Sequence, residues 1–386
     1  MLSVAQAEHV VPWAGLAAEL ARRGHQVCFT TTDQFADVFK GDGLSVARYA
    51  STPPPAITDS SAGSIRLWRM DEGSAIVDAA IKKFTDIRPN VILYDTTAQL
   101  AGRLLAQLWQ VPAVALSANF ATGPQYSLDR DITNRPTGKN YMPALGDFLT
   151  RMGSIISAHA PDLPVYSTLL APWEELNLVA VPREFQIAGD TFPDQWVFTG
   201  PYLTGPAVQD QWQPPDDDPV LLVSLSDLGH DSQRGFLDTC VTAFAGLDWH
   251  VVLATGPQLD PAEFGPLPSN FEAHRQVPRL AVLENAKGFV STGAMGGILE
   301  ALSMGVPMVT FPQLPEHHIA ADRLAELDLG RTGEPGISAG ELKATVLALA
   351  ADSATARALT LMREHVQKAG GATRAAEEIE LHVIHS

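Results

Sequence analysis

The stretch GFVSTGAMGGILEALSMGVPMVTFPQLPEH, Gly288 to His317, decides how the rest of the chain is read. An apolar strand from Phe289 to Ser291 runs into a turn carrying Gly293, Gly296 and Gly297. A helix is expected from Ile298 to Met304, a strand from Pro307 to Phe311, and then a loop opening with Pro312-Gln313. A strand that feeds a glycine turn into a helix aims the free N–H groups of the first helical turn, and the helix dipole, at one place. Such a place binds an anion. The same pattern also serves as a tight βα turn that packs closely and binds nothing, and spacing alone leaves both open.

Working outward, the same alternation fills the chain. Leu2 to Ala5, Gln26 to Thr31 and Ser45 to Tyr49 read as strands. Between them lie a helix with Pro12 in its first turn and Gly24 as its stop, and a helix opening at Asp33. Asn90 to Asp95 (NVILYD) is an apolar run ending in an acid, a buried parallel strand with Asp95 at its carboxyl edge, where open α/β sheets bind ligands. The segment Asn119 to Leu163 reads as irregular with one helix, a lid or pocket wall. Gly200 to Pro219 is rich in Pro, Gly and Asp, and after it the strand–helix pattern restarts. The expected fold class is α/β: residues 1–199 form one doubly wound, Rossmann-like domain, 200–219 a linker, and 220–386 a second such domain, with a cleft between them. The last helix is expected to be free to pack back on the first domain.

A length of 386 residues agrees with two domains, and 46% hydrophobic residues supply two cores. A net charge of −18 argues against nucleic acid or an anionic membrane as partner. Cys28 and Cys240 sit in apolar surroundings and read as two thiols rather than a disulfide. No basic leader and no long apolar run stands out, so the expected location is the cytoplasm.

The order of landmarks resembles a known family: VPWAGLAAELARRGHQV near the start, VILYD and VPAV in the first half, and a Trp-x-Pro-Pro linker. After these come LLVSL, VPRLAVL, the opening stretch, PQLPEHHIAADRLAELDLGR and GGATRAAEEIE. Over essentially the whole chain they resemble the GT-B glycosyltransferases of the macrolide and enediyne natural-product type, which are themselves similar to UDP-glycosyltransferases. The resemblance implies an acceptor pocket in the first domain and a nucleotide-sugar site in the second.

Carried over residue by residue, the resemblance meets substitutions. The family's catalytic histidine, in His-Gly-His-Val-Asn-Pro, is placed on Ala7 by the register that Val10 and Pro12 set, with Glu8 and His9 following. The acid that orients that histidine falls on Asp95. The tryptophan that stacks on the base becomes Gln276, in Gln276-Val277-Pro278-Arg279. A diphosphate-contacting histidine becomes Thr292, and the Ser or Thr after the glycines becomes Ile298. The Asp/Glu-Gln pair that holds sugar hydroxyls becomes Glu316-His317, and Ser-Leu-Gly-Ser becomes Ser224-Leu225-Ser226-Asp227. Loss of the stack and of two or three phosphate contacts removes on the order of 5 kcal/mol of donor binding.

These substitutions point away from ordinary sugar transfer. The expectation is a protein of bacterial, polyketide-type biosynthesis repurposed for acid/base or cyclisation-type chemistry on a small hydrophobic molecule in the former acceptor cleft. His9 and Asp95, with Glu8, would act as base and orienter; the alternative is a structural His9. Two other functions stay open. One is a non-catalytic partner of an active glycosyltransferase; the chain itself is expected as a homodimer or as a heteromer with such an enzyme. The other is an active transferase with an atypical donor site. No cofactor is expected, and a nucleotide sugar only in the last case. Glu316, His317 and His318 lack metal-ligand spacing, so a solvated loop is expected there and no metal.

Overall fold

Short runs of three to six residues, most of them apolar, pair in parallel here because most strands are followed by a helix that crosses back over the sheet. The computed structural model describes the chain except residues 54–61, 136–144, 162–172, 204–210, 226–229, 258 and 386. Ser226 and Asp227 therefore lie outside the described residues. Contacts divide the chain into two compact units, Met1–Pro206 with Ala369–Ser386, and Ala207–Lys368.

The first unit carries strands β1 (Val27–Thr31), β2 (Leu44–Arg48), β3 (Ile92–Asp95), β4 (Ala113–Ser117), β5 (Leu176–Val179) and β6 (Trp196–Phe198). Its helices are α1 (Ala7–Val10), α2 (Ala14–Arg22), α3 (Asp33–Ala36), α4 (Ala62–Lys83), α5 (Gln99–Trp109), α6 (Leu128–Asn134) and α7 (Leu145–His159). All strand pairs are parallel: β1 with β2, and β3-β4-β5-β6 in order. The expected first strand is shorter than its apolar run suggests. Only Leu2 bridges, but it bridges Thr30 on one side and Tyr94 on the other, so it ties the two sheets into one. The chain thus leaves the Leu2 segment toward β1 and β2, and returns to its other side at β3. That junction is a topological switch point, where open α/β sheets hold ligands.

Gly102 shows how closely α5 lies on β3: a Cβ there would sit 2.3 Å from the Tyr94 ring. On the other face, Trp13, Leu16 and Leu20 pack with Phe29, Leu93 and Leu178. The same core contains Ala372, Ala375, Ala376 and Ile379 of the final helix, Gly371–His385, which is therefore part of the first unit.

The second unit is a six-stranded parallel sheet. Its strands are β7 (Val220–Ser224), β8 (His250–Ala254), β9 (Phe271–His274), β10 (Ala286–Ser291), β11 (Met308–Thr310) and β12 (Gly330–Thr332). The order is β12-β11-β10-β7-β8-β9, which sets its switch point between β7 and β10. Its helices are α8 (His230–Phe244), α9 (Arg279–Asn285), α10 (Met295–Met304), α11 (Pro315–Glu326), α12 (Ala339–Ala350) and α13 (Ser353–Lys368); the final helix of the first unit is α14.

Two local expectations change. α10 begins at Met295, so Gly296 and Gly297 are helical rather than part of the turn, and Gly293 alone takes the left-handed conformation at φ +82°. Gly297 lets the helix rest on the Phe289 ring, 3.4 Å from where a Cβ would stand. α11 begins at Pro315, so Glu316 and His317 occupy a helical first turn instead of a loop. Gly330 opens β12, and the left-handed residue after α11 is Asp328 at φ +56°. Among the described residues, no helix is long and apolar enough to cross a membrane.

Candidate active site

The first unit's switch point is built by its own sequence. After Leu2 the chain turns through Ser3, whose hydroxyl donates to the His9 carbonyl at 2.6 Å and closes the loop around α1. Pro12 follows in a short 3-10 turn that delivers the buried indole of Trp13. A buried indole N–H needs an acceptor. It finds one in Asp95 at the end of β3, donating to Oδ2 at 2.9 Å. Oδ1 of the same carboxylate accepts from the Thr97 amide at 2.9 Å and from the Thr97 hydroxyl, as the cap of the following turn. Asp95 therefore has the structural duty that sequence reading did not see, and Trp13 is a site residue it missed; the signal was an indole placed directly after Pro12.

The structure brings His9 and Asp95 together. His9 Nδ1 lies 3.3 Å from Asp95 Oδ1, with the His9 side chain 15% exposed and that of Asp95 1%. Among the described residues Nδ1 makes no aligned hydrogen bond, so the contact is mainly one of charge. Glu8 is half exposed, with Oε1 3.7 Å from His9 Nε2. Ala7 stands where the register placed the family's base, and the ring beside Asp95 is that of His9.

Burial, the largest influence on His9, lowers its pKa, but the Asp95 charge and contact, aided by Glu8, outweigh burial and raise it above the ordinary histidine value. Arg69 acts against that rise. For Asp95, burial favours protonation, and the His9 and Thr97 contacts reverse it, so the carboxyl titrates below its usual range. A buried acid kept ionised beside an imidazole is how a base is oriented and strengthened. Nε2, facing away from the carboxylate, is the atom left to take a proton from a ligand.

In the second unit, β10 ends at Ser291, whose hydroxyl accepts from the Gly293 amide at 3.2 Å. Ala294 precedes α10 and gives its first turn no side-chain cap, which leaves that turn's N–H groups to other partners. Thr292 is buried. A Cβ on Gly293 would stand 3.4 Å from the His317 carbonyl, so the starts of α10 and α11 adjoin. His317 is 3% exposed, a correction to the solvated loop expected there, and its Nδ1 has no partner among the described residues. Arg279 forms a two-pronged ion pair with Glu300 of α10, one arm at 2.9 Å. Gln276 is exposed just beyond β9 and joins neither group. Groups of residues able to hold a metal are absent among the described residues.

Two doubly wound parallel sheets, one with a buried His–Asp pair at its switch point and one with a glycine turn into a helix at its own, define the GT-B class of architecture. Residues 238–380 match the model of the erythromycin biosynthesis protein CIII-like C-terminal domain. The oleandomycin glycosyltransferase of Streptomyces antibioticus is 33% identical over 98% of this chain and 89% of its own. The NDP-glycosyltransferase YjiC of Bacillus licheniformis is 31% identical over 96% of this chain and 94% of its own. Among solved structures, the calicheamicin glycosyltransferase CalG4 superposes with a TM-score of 0.86 at 36% identity, covering 98% of this chain and 96% of that one. The chain belongs to the GT-B glycosyltransferases of natural-product biosynthesis.

Proposed function

We propose that the protein transfers a sugar from a nucleoside diphosphate donor to a hydroxyl of a small, largely apolar natural product, with His9 as the base. The observation that carries this is the His9–Asp95 pair at 3.3 Å, placed at the switch point of the first unit. The acceptor hydroxyl gives its proton to His9 Nε2 while its oxygen attacks the anomeric carbon. The nucleoside diphosphate leaves with the bonding electron pair, so a single displacement inverts that carbon. Asp95 stays ionised and stabilises the imidazolium that forms. Relatives named for NDP-sugar, oleandomycin and demethyllactenocin chemistry support both halves of the reading.

The second unit is the proposed donor side, through the uncapped start of α10. Gln276, Thr292 and Ile298 supply no aromatic stack and no imidazole there. They favour a donor with few contacts of the usual kind, and they are what remains in favour of a second reading, acid/base or cyclisation-type chemistry on the acceptor without sugar transfer. Incubation with UDP- and TDP-sugars and a panel of phenolic and macrolide hydroxyls separates the two. Glycosylated product by mass spectrometry, abolished in His9→Ala, is expected. Chemical change of an acceptor in the absence of any nucleotide sugar, with none added by its presence, would overturn the proposal.

A further inference from the structure

The buried stripe of α4, with Trp68, Ile76, Val77 and Ala80, packs on the first unit's core. Arg69 and Glu72 fall on the same stripe, three residues apart, where a helix covering a sheet ordinarily carries apolar side chains. α4 touches the turn that follows Asp95 as well as β1 and β2, so this end of the helix lies over the carboxyl ends of the strands. The buried polar atoms of the first unit with no hydrogen-bond partner among the described residues include Gln6 Oε1, His9 Nδ1, Thr31 Oγ1, Tyr49 OH, Arg69 Nε and Glu72 Oε2.

The charges in this group differ in how they are satisfied. Asp95 is taken by Trp13, Thr97 and His9. Glu72 Oε1 accepts from the Thr52 amide at 3.0 Å and from its hydroxyl at 3.4 Å. Other cations of this part of the unit are paired: Arg66 with Asp129 at 2.5 Å, and Arg151 with Asp71. Arg69 makes no hydrogen bond or ion pair among the described residues, although its Nε is buried. A partly desolvated guanidinium without a partner is costly. It presents a planar fork of donors that matches a carboxylate. Arg69 is also within electrostatic reach of His9, where its charge opposes the rise in that ring's pKa.

We propose that Arg69 is the acceptor-recognition residue of the first unit, binding a carboxylate that the acceptor carries close to the hydroxyl presented to His9. The acceptor class is thus a hydroxy acid, aromatic or polyketide-like, rather than a neutral alcohol. The proposal rests on the acceptor side of the function proposed above, but its test does not need sugar transfer.

Binding of ortho-, meta- and para-hydroxybenzoate, each compared with its methyl ester, is measured by titration calorimetry without donor on the full chain. At least one acid is expected to bind about tenfold or more tighter than its ester, about one decade per 1.4 kcal/mol. Arg69→Met should bring the pair to within about twofold, and Arg69→Lys should retain part of the preference, since a point charge replaces the fork. Thermal melting shows whether Arg69→Met keeps the fold; if it does not, Arg69→Gln replaces it. Equal binding of acids and esters, no binding of any acid at saturating concentration, or a preference that survives loss of the cation would each overturn the proposal. Failure of transfer with intact acid preference would instead count against the transferase reading alone.

Discussion

Replacing Asp95 by Asn keeps the size of the side chain and removes the one charge on which the pair depends. Both oxygens of Asp95 act as acceptors, Oδ2 for the Trp13 indole and Oδ1 for the Thr97 amide and hydroxyl. An amide presents only one acceptor oxygen, so in either orientation its NH2 meets a donor. A buried donor left unpaired costs about 1–3 kcal/mol, and that is the expected loss of stability. The kinetic effect follows from the sign of the His9 shift. In the wild type His9 titrates above about 6.5, because Asp95 and Glu8 outweigh burial and Arg69. Below that raised value the ring is protonated and cannot act as base, so kcat/KM rises with pH through it. Without the Asp95 charge, burial and Arg69 lower the pKa against Glu8 alone, and the acid limb moves to lower pH. The plateau rate should fall as well, by at most the 10²–10⁴ that a general base contributes. The assay is kcat/KM for transfer from a nucleotide sugar across about pH 5 to 9, for both proteins. An acid limb that stays in place or moves upward, or a plateau equal to the wild type, would refute the argument that Asp95 charges and orients His9.

Other outcomes follow from the same geometry. His9→Ala should lose about 10²–10⁴ in kcat/KM at pH 8, and a loss under threefold would remove His9 as base. Because the folded pKa of His9 is raised, its stabilising pair with Asp95 is fully present below about 6.5 and fades as pH rises through the higher value, so His9→Ala should lower the melting temperature more at pH 6 than at pH 9; the opposite order would contradict the direction of the shift. Trp13→Phe keeps most of the buried ring but strips the Asp95 Oδ2 of its donor, and should cost about 1–3 kcal/mol in urea unfolding. Gly102→Ala places a methyl 2.3 Å from the Tyr94 ring, and should destabilise by about 1–3 kcal/mol through displacement of α5 from β3; a change under 0.5 kcal/mol would show that the helix yields freely.

Local chemistry in the sequence determined the order of strands and helices, the two doubly wound sheets and the chain's membership of its family. Apolar runs, proline starts and glycine stops act over a few residues and are readable where they stand. The strand Ala113 to Ser117 and the strand Val220 to Ser224 fall where their apolar runs place them. Helix starts were less legible: Gly296 and Gly297 looked like turn residues but lie inside α10, where Gly297 lets the helix rest on Phe289 despite a local propensity that disfavours both.

The site shows the same division. Asp95 was legible as an acid at the end of a buried strand, and His9 as an imidazole on the loop after the first. Their pairing as base and orienter was an expectation, but the 3.3 Å distance rests on the fold, because residues 86 positions apart become neighbours only when Leu2 bridges β1 and β3. The register of the motif placed the family's histidine on Ala7, and it is His9, two residues on, whose ring lies beside the acid. Trp13 and Arg69 were invisible for a related reason. An indole beside a proline and an arginine in a charged run carry no special pattern in the sequence. Their roles come from burial and from whether a partner stands within reach, and only the tertiary structure decides that Trp13 finds Asp95 while Arg69 Nε is buried with no partner among the described residues.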